Sequence, residues 1–376
     1  MSVMRVLRTM MTFVFCWMAG VLPATAAPAA PDMPAAGPPS AGKLPSAVVG
    51  APPGLRRLTD TYLRDTSICS GPDGTWYMTG TSNPPDGIRL WKSRDRDHAA
   101  WEPLGIVWKP GASPWHKPYM AEKCPLWAPE VHFINGTFWL TYSFPGWDHW
   151  NPKNSGCGLL KSSTGKPEGP YVDVQPDERL GDEIDASLFQ DDDGTVYFLW
   201  HNSKIAKMKP DMSGLAEPCR WLKTGVDDTN AKHHGPACPT VCQDQFHAGS
   251  EGISMFKAGG LYYWCASEQF EGRYSCAIAT SRNIYGPYSA RYEALPYCGH
   301  NNFFQDKNKQ WWATYFGHDG GAPWRERPGI LPVEIGADGI VHPQQRQPTS
   351  TKAAAGTIKA TPKPEGGSKK QMSEAF

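Results

Sequence analysis

The sequence of 376 residues lacks a net charge, because 37 Lys and Arg side chains balance 37 Asp and Glu side chains. Nucleic-acid and anionic-membrane partners require a basic excess or a basic stripe, so neither partner is expected. Long apolar runs are also lacking beyond one near the start, and no membrane association is expected after that segment is removed. The 16 Trp, 14 Tyr and 14 Phe exclude disorder throughout, since so many aromatic side chains require burial or a ligand.

The start of the chain has the pattern of a secretory signal. Arg5 and Arg8 precede an apolar stretch over 10–22, and Ala24, Thr25 and Ala26 offer a small-residue cleavage site. A membrane-spanning helix is the alternative, but the stretch is short for a span. We predict a signal peptide over 1–27, a Pro/Ala-rich linker over 28–55, a globular domain over 56–345 and a low-complexity tail over 346–376. A secreted or periplasmic protein, monomeric in solution, is the expectation.

The globular part repeats a pattern of about four short strands, which restarts five times at intervals of roughly 50–65 residues. Turn-forming pairs such as Asn135-Gly136 and Gly259-Gly260 join aromatic runs and are typical of hairpins. The acidic run 191–193 is interpreted as a turn, since its carboxylates are adjacent rather than alternating as in a calcium loop. The pattern predicts an all-β fold, a five-bladed β-propeller of four-stranded antiparallel blades. A β-sandwich would not explain the repeat.

Polar residues open the first strand of the repeated units. In a propeller the first strand of each blade lines the central channel, so these residues are expected to converge on the axis. A carboxylic acid that donates a proton and a carboxylate that activates water suffice to hydrolyse a glycosidic bond. A third carboxylate between them raises the pKa of the acid by charge repulsion. The residues are Asp65, Glu130, Asp185, Glu251 and His300.

Five stretches of the sequence open the predicted blades. They are RDTSI at 64–68, WAPEVHFINGTFWLTYS at 127–143, IDASLFQDDDGTVYFLW at 184–200, EGISMFKAGGLYYWCAS at 251–267 and GHNNFF at 299–304. These stretches resemble the blade signatures of glycoside hydrolase family 43, and the resemblance extends over about 56–345. It implies an inverting glycosidase, exo-acting in the usual case, that removes terminal arabinofuranosyl or xylosyl residues from polysaccharides or oligosaccharides.

The resemblance also implies a role for each matched residue. Asp65 matches the general base, Asp185 the modulator of the acid's pKa, and Glu251 the general acid. His300 matches an axial histidine that in part of the family lies beside a calcium ion or its water shell, although no cofactor is required. Thr66 departs from the family pattern, in which proline commonly follows the base.

The substrate is expected to be a carbohydrate, and aromatic and basic residues in loops are candidates to bind it. We select Trp127, Trp147, His300 and Arg325, with Trp115, Trp150, Trp324 and Arg327 as further candidates. Trp139 and Trp312 lie inside predicted strands and are expected to pack between blades. Three alternatives remain: a β-galactofuranosidase-type activity, a non-catalytic carbohydrate-binding propeller, and a metal-dependent enzyme. The metal-dependent enzyme would use the Cys/His-rich insertion that precedes Glu251. The candidate metal ligands in this insertion are His233, His234, Cys238, Cys242 and His247.

The cysteine count is ten, of which Cys16 lies in the predicted signal peptide, so an odd number remains. Cys265 and Cys276 are symmetric about a turn that we place at residues 270–271. They are therefore predicted to face each other on neighbouring strands, close to disulfide range but not necessarily bonded.

Overall fold

A computed structural model describes residues 51–94, 98–146, 154–224 and 247–344. The predicted signal peptide, nearly all of the predicted linker and the predicted tail lie outside these ranges. Trp147, Trp150 and most of the Cys/His-rich insertion also lie outside them. Within the described ranges, no helix has the length and apolar character that a membrane span would need.

Short strands account for almost all of the regular structure. The chain begins with β1 (Arg56–Arg57), and the first blade contains β2 (Leu63–Ser70), β3 (Trp76–Ser82), β4 (Ile88–Ser93) and β5 (Trp101–Trp108). A 3₁₀ helix (Pro114–His116) and α1 (Lys117–Ala121) precede the second blade, which contains β6 (Trp127–Ile134), β7 (Thr137–Phe144), β8 (Gly156–Ser162), β9 (Tyr171–Asp173) and β10 (Gly181–Asp182). The third blade contains β11 (Ser187–Gln190), β12 (Val196–Trp200), β13 (Lys204–Lys207) and β14 (Arg220–Trp221). The fourth contains β15 (Glu251–Ala258), β16 (Leu261–Phe270), β17 (Arg273–Ser281) and β18 (Tyr292–Leu295), and the fifth contains β19 (Phe303–Gln305), β20 (Trp311–Phe316), β21 (Pro328–Ile335) and β22 (Val341–Pro343).

The five sheets form a five-bladed β-propeller, which confirms the predicted fold. Each sheet is antiparallel, and its strands follow one another outward in chain order except where the ring closes. The innermost strands contact each other in the cyclic order β2, β6, β11, β15, β19 and back to β2. Two sheets have five strands instead of the predicted four. In the second blade, β9 and β10 both pair with β8, and in the fifth blade, β1 and β22 both pair with β21.

The ring is closed by the first strand of the fold. Arg56 in β1 lies opposite Ile330 in β21, and Arg57 lies opposite Gly329, so the start of the domain completes the last blade. The close approach requires a glycine at 329, since a Cβ atom there would lie 2.9 Å from the Arg56 carbonyl oxygen. This pairing joins the two ends of the domain without a covalent link.

The hydrophobic core lies between the blades rather than within one. Each of five buried clusters takes its side chains from two neighbouring blades, as where Leu90 of the first packs with Leu140 of the second. Trp139 lies in the layer between the second and third blades, and Trp312 contacts Trp76 between the fifth and first. The inter-blade positions predicted for both tryptophans are therefore confirmed. Because such sheets bury both faces, most strand residues are apolar or small.

The predicted hairpin turns are confirmed at three places. Asn135-Gly136 and Gly259-Gly260 each have two positive φ angles, as two-residue turns between twisted strands require. In the acidic run, the Asp191 N–H donates to the Thr195 carbonyl at 2.8 Å, so this segment is a turn.

The predicted register of the β16–β17 hairpin is wrong by one residue at the turn. The loop is Glu271-Gly272, both with positive φ, and not residues 270–271. Cys265 consequently lies opposite Ile278, and Cys276 lies opposite Ser267. The two cysteines are diagonal neighbours with free thiols, rather than a directly opposed pair.

Candidate active site

The inner strands share a left-handed backbone conformation at or just before their pocket ends. One residue in each blade has a positive φ, and in three blades it lies in a β-bulge that shifts the register of the first two strands. Side chains normally alternate between the two faces of a strand. A bulge with left-handed backbone breaks this alternation and directs a side chain toward one end of the strand. Non-glycine residues in this conformation are strained, which is a frequent property of functional sites. The five residues are Asp65 (φ 52°), Ala128 (φ 43°), Asp185 (φ 62°), Gly252 (φ 66°) and His300 (φ 47°).

The bulges open into one pocket on the propeller axis. The pocket is small and partly open to solvent, with a cavity of about 50 Å³. Four predicted residues, Asp65, Asp185, Glu251 and His300, all line it. The lining is completed by Arg64, Thr81, Trp127, Ala128 and Ile184.

Glu130 does not belong to this set, which corrects the expectation that it shares the phase of the other carboxylates. The residue equivalent to Asp65 in the second blade is Ala128, so Glu130 lies two positions further along its strand. It is buried, accepts a hydrogen bond from the Ser187 hydroxyl at 2.7 Å and lies 3.0 Å from His132 Nε2. Its contacts are those of a structural carboxylate.

Asp65 is held on both of its oxygens. The Thr81 hydroxyl donates to Asp65 Oδ2 at 2.6 Å, and the Ala128 N–H donates to the same hydroxyl at 2.7 Å. Asp65 Oδ1 lies 3.4 Å from His300 Nδ1. The carboxylate is thus fixed by a chain of contacts that joins the first, second and fifth blades.

Asp185 is the buried member of the three carboxylates. It is 4% exposed, and the Gly252 N–H donates to its Oδ2 at 3.0 Å. Burial raises the pKa of Asp185 to about 7; the nearby charge of His300 opposes the rise, and those of Glu251 and Asp65 add to it. Asp185 is therefore protonated in part of the molecules near neutral pH.

His300 is the cation that faces this acidic group. Burial disfavours a charged imidazole, but the carboxylates of Asp185, Asp65 and Glu251 outweigh that cost and raise the pKa of His300. The ring lies against Gly252, where an added Cβ would come within 3.0 Å of His300 Cγ. The imidazolium offsets part of the repulsion between carboxylates in the pocket.

Glu251 is oriented by a tyrosine from the third strand of its own blade. The Tyr274 hydroxyl donates to Glu251 Oε1 at 2.7 Å, which fixes the orientation of the carboxyl group. Burial, with the charges of Glu251 and Asp65, raises the pKa of Tyr274 well above its usual value, so the phenol stays a donor. Gly299 allows this arrangement, because a Cβ atom there would overlap the Tyr274 ring.

The residues predicted to bind substrate are divided between the pocket and other places. Trp127 is in the pocket lining, but Arg325 is exposed and is not, and the guanidinium that lines the pocket belongs to Arg64. Trp115 packs in the layer between the first two blades and donates to Asp173 Oδ2 at 3.1 Å, so it is a core residue. Trp147 lies outside the described residues, and its role stays a prediction.

The residues around His300 do not fit a calcium ion held by protein ligands. Calcium prefers six to eight oxygen ligands, whereas His300 brings nitrogen and faces carboxylates that already have donors. Over the described ranges, no group of three or more His, Cys, Asp or Glu side chains is arranged to hold a metal. A calcium ion held through its water shell beside His300 stays a prediction, and no step below uses a metal.

Three carboxylates and an imidazole line an axial pocket of a five-bladed propeller, and glycosidase sites are built from carboxyl groups of this kind. Comparison with known proteins agrees with that class. The model of the family described as glycosyl hydrolases family 43 matches residues 58–341. The chain belongs to this family and is a glycoside hydrolase.

Its relatives differ in the sugars that their names mention. The chain is 24% identical over 275 residues to the extracellular exo-α-(1→5)-L-arabinofuranosidase ArbA of Cellvibrio japonicus, covering 66% of this chain and 72% of that protein. It is 27% identical over 239 residues to the xylosidase/arabinosidase 43B of Humicola insolens, covering 60% of this chain but 39% of the relative. The crystal structure of a GH43_1 enzyme from Xanthomonas citri has a TM-score of 0.58 at 20% identity, covering 76% of this chain and 93% of that one, which supports the fold.

Proposed function

We propose that this protein is an exported, exo-acting, inverting glycosidase that removes terminal arabinofuranosyl or xylosyl residues from polysaccharide or oligosaccharide. The observation that carries the proposal is that the three pocket carboxylates differ in their exposure. Asp65 and Glu251 are partly exposed to the cavity, whereas Asp185 lies behind them, 4% exposed. Two accessible carboxyl groups can touch water and substrate, and a buried third one acts through its charge.

Glu251 is the general acid in this proposal. Tyr274 holds Oε1, so Oε2 can present the proton to the oxygen of the leaving group as the glycosidic bond breaks. Asp185 lies close enough to Glu251 for the charge of Glu251 to raise the pKa of Asp185, and like-charge repulsion disfavours ionisation of both carboxyl groups at once.

Asp65 is the general base. Thr81 and His300 hold the carboxylate in one orientation, in which it can take a proton from a water molecule attacking the anomeric carbon. Attack by water on the face opposite the leaving group inverts the anomeric configuration. Asp65 and Glu251 return to their starting protonation states when the products leave and the pocket exchanges protons with solvent.

The small cavity supports action on one terminal sugar. A cavity of about 50 Å³ has no room for a run of several rings, so a single ring suits it better. The names of the Cellvibrio and Humicola relatives mention arabinofuranosidase, xylosidase and arabinosidase activities, which favours a pentose. Export is proposed from the signal-like first 27 residues and from the name of the Cellvibrio relative, which calls it extracellular.

The test combines a substrate screen with product stereochemistry. Aryl α-L-arabinofuranoside, β-D-xyloside and β-D-galactofuranoside are incubated with the enzyme, and the first-formed anomer is followed by NMR. We expect hydrolysis of a pentoside with inversion, and release of monosaccharide alone from arabinan or xylan oligosaccharides. Retention of configuration would refute the roles of Asp65 and Glu251, and release of longer products would refute exo action. Hydrolysis of the galactofuranoside alone would show that the enzyme removes galactofuranose and not a pentose.

A further inference from the structure

A tryptophan at the edge of the third blade is unusually exposed. Within the described ranges, Ile106, Val172 and Trp221 are the large hydrophobic residues whose side chains face solvent, and Trp221 is 52% exposed. It ends β14, where it pairs with Lys204 of β13. The antiparallel order of the blade places this end of β14 on the same side of the propeller as the pocket, because β11 leads away from the pocket and β12 returns to it.

His201 connects Trp221 to the pocket. Its N–H donates to the carbonyl oxygen of Ile184, which lines the pocket, at 2.7 Å. Its own carbonyl oxygen accepts a hydrogen bond from the Ile253 N–H at 3.1 Å, at the start of the strand that carries Glu251. The His201 and Trp221 ring centroids are 6.4 Å apart in an edge-to-face arrangement. Trp221 therefore lies beside His201 on the rim, and the backbone of His201 is bonded both to the pocket wall and to the strand that carries Glu251.

The indole ring is supported from below by a fixed cation. Lys204 Nζ lies 4.8 Å from the centroid of the Trp221 ring. The same ammonium group is 2.8 Å from Asp182 Oδ1 and 2.6 Å from Glu183 Oε2, and only 5% of Lys204 is exposed. Because the lysine cannot move away, the ring above it is held in position before any ligand arrives, which lowers the entropy cost of binding.

We propose that Trp221 is the stacking platform for the leaving-group sugar, the ring on the far side of the scissile bond from the terminal pentose. The inference rests on the proposed function, in which Glu251 protonates the oxygen of the leaving group. The remainder of the substrate must then extend from the pocket on the Glu251 side, and Trp221 lies on that rim. The C–H groups on the face of a sugar ring pack against the negative face of an indole. Trp221 thus acts in substrate specificity, not in the bond-breaking step.

The experiment compares two substrates that differ only in the leaving group. Xylobiose and β-D-xylosyl fluoride, or α-1,5-arabinobiose and α-L-arabinofuranosyl fluoride, place the same sugar in the pocket, but the fluoride carries no second ring. We expect Trp221→Ala to lower the ratio of kcat/KM on the disaccharide to kcat/KM on the fluoride about tenfold, equivalent to ~1.4 kcal/mol. Trp221→Phe, which keeps an aromatic face, should lower the ratio about threefold.

Val172→Ala is the matched control, since Val172 is also 52% exposed and lies on an outer strand, in the second blade. Its ratio should equal that of the wild type. An unchanged ratio in both Trp221 variants, or a loss that is equal on the two substrates, overturns the platform. If Trp221→Ala fails to fold in a thermal melt, the Trp221→Phe ratio decides. If the wild-type enzyme hydrolyses a fluoride and its disaccharide, the proposed function stands whatever the Trp221 variants show. If the wild-type enzyme hydrolyses neither substrate, both the proposed function and the Trp221 platform are refuted.

Discussion

The hydroxyl of Thr81 is expected to act both in catalysis and in folding, and a small change at this residue tests both roles. It donates to Asp65 Oδ2 at 2.6 Å and accepts from the Ala128 N–H at 2.7 Å, and Thr81 is 7% exposed. Thr81→Val keeps the branched shape and removes only the hydroxyl. Two partners then lose a hydrogen bond: the proposed base and a buried backbone donor.

The two losses have different magnitudes and different readouts. A hydrogen bond to a charged group contributes about 1.5–3 kcal/mol, so loss of the contact that orients Asp65 should lower kcat about 10- to 100-fold if it is expressed in the transition state. Leaving the Ala128 N–H unpaired should reduce the free energy of unfolding by about 1–3 kcal/mol. Activity and stability should therefore both fall, whereas a purely structural threonine would affect stability alone.

Steady-state kinetics on an aryl glycoside and urea unfolding measure the two effects in the same preparation. Thr81→Ser is the matched control, since it keeps the hydroxyl and loses only a methyl group, and it should retain most of the activity. A Thr81→Val enzyme with kcat within twofold of the wild type, but with the expected loss of stability, would show that the hydroxyl does not position a catalytic base.

Two further substitutions test the other carboxylates. Glu251→Gln should lower turnover of natural linkages by ~10²–10⁴-fold and harm an activated aryl substrate less, because a good leaving group needs less protonation; equal losses in kinetic assays would argue against the acid role. Asp185 has a pKa raised from 3.8 to about 7, with burial as the main cause, so the folded state keeps a proton that the unfolded chain releases. Its contribution to stability is present below about pH 4 and lost as the pH rises to about 7, at about 1.4 kcal/mol per pKa unit. Asp185→Asn should lose less stability over that window in urea unfolding, and an identical pH profile would contradict the raised pKa.

The sequence was sufficient to predict the blades because the information for each of them is local. Hairpin turns such as Asn135-Gly136 join strands that are adjacent in the chain, and repetition at regular intervals then specifies the propeller. The convergence of Asp65, Asp185, Glu251 and His300 on the axis followed from the same repetition and is confirmed by the pocket lining. Their chemical roles depend on the function that we propose.

Counting residues along the strands failed in the second blade, where a bulge changed the phase. The left-handed residue of the second blade is Ala128, a type with no special preference for that conformation, so nothing in the sequence marked the shift that removes Glu130 from the pocket. The prediction of the β16–β17 turn was wrong for a different reason. Gly272 marks the true loop, whereas the prediction rested on symmetry between two cysteines.

Residues that support the site were missed because they come from other strands. Thr81 lies opposite Arg64 across the first hairpin, and Tyr274 lies in the third strand of the fourth blade. A register argument from the β2–β3 turn could have found Thr81, since it faces the residue before Asp65. Tyr274 depends on packing against Gly299, which pattern analysis cannot reveal.

Closure of the ring is the part of the fold that no local pattern encodes, and it leads to a last prediction. Arg56 and Arg57 complete the sheet of the fifth blade, and the Leu58 N–H donates to the Pro328 carbonyl at 2.9 Å. A chain that starts at Leu58 loses the β1–β21 pairing, whereas one that starts at Leu55 keeps it and serves as the control. At about 0.5–1.5 kcal/mol for each backbone hydrogen bond, the shorter chain should unfold about 1–3 kcal/mol more easily than the longer one in urea. It should also self-associate at high concentration, because removal of β1 exposes the β21 edge. Equal unfolding curves for the two chains would mean that packing between the blades alone keeps the ring closed, and that β1 follows the closure instead of causing it.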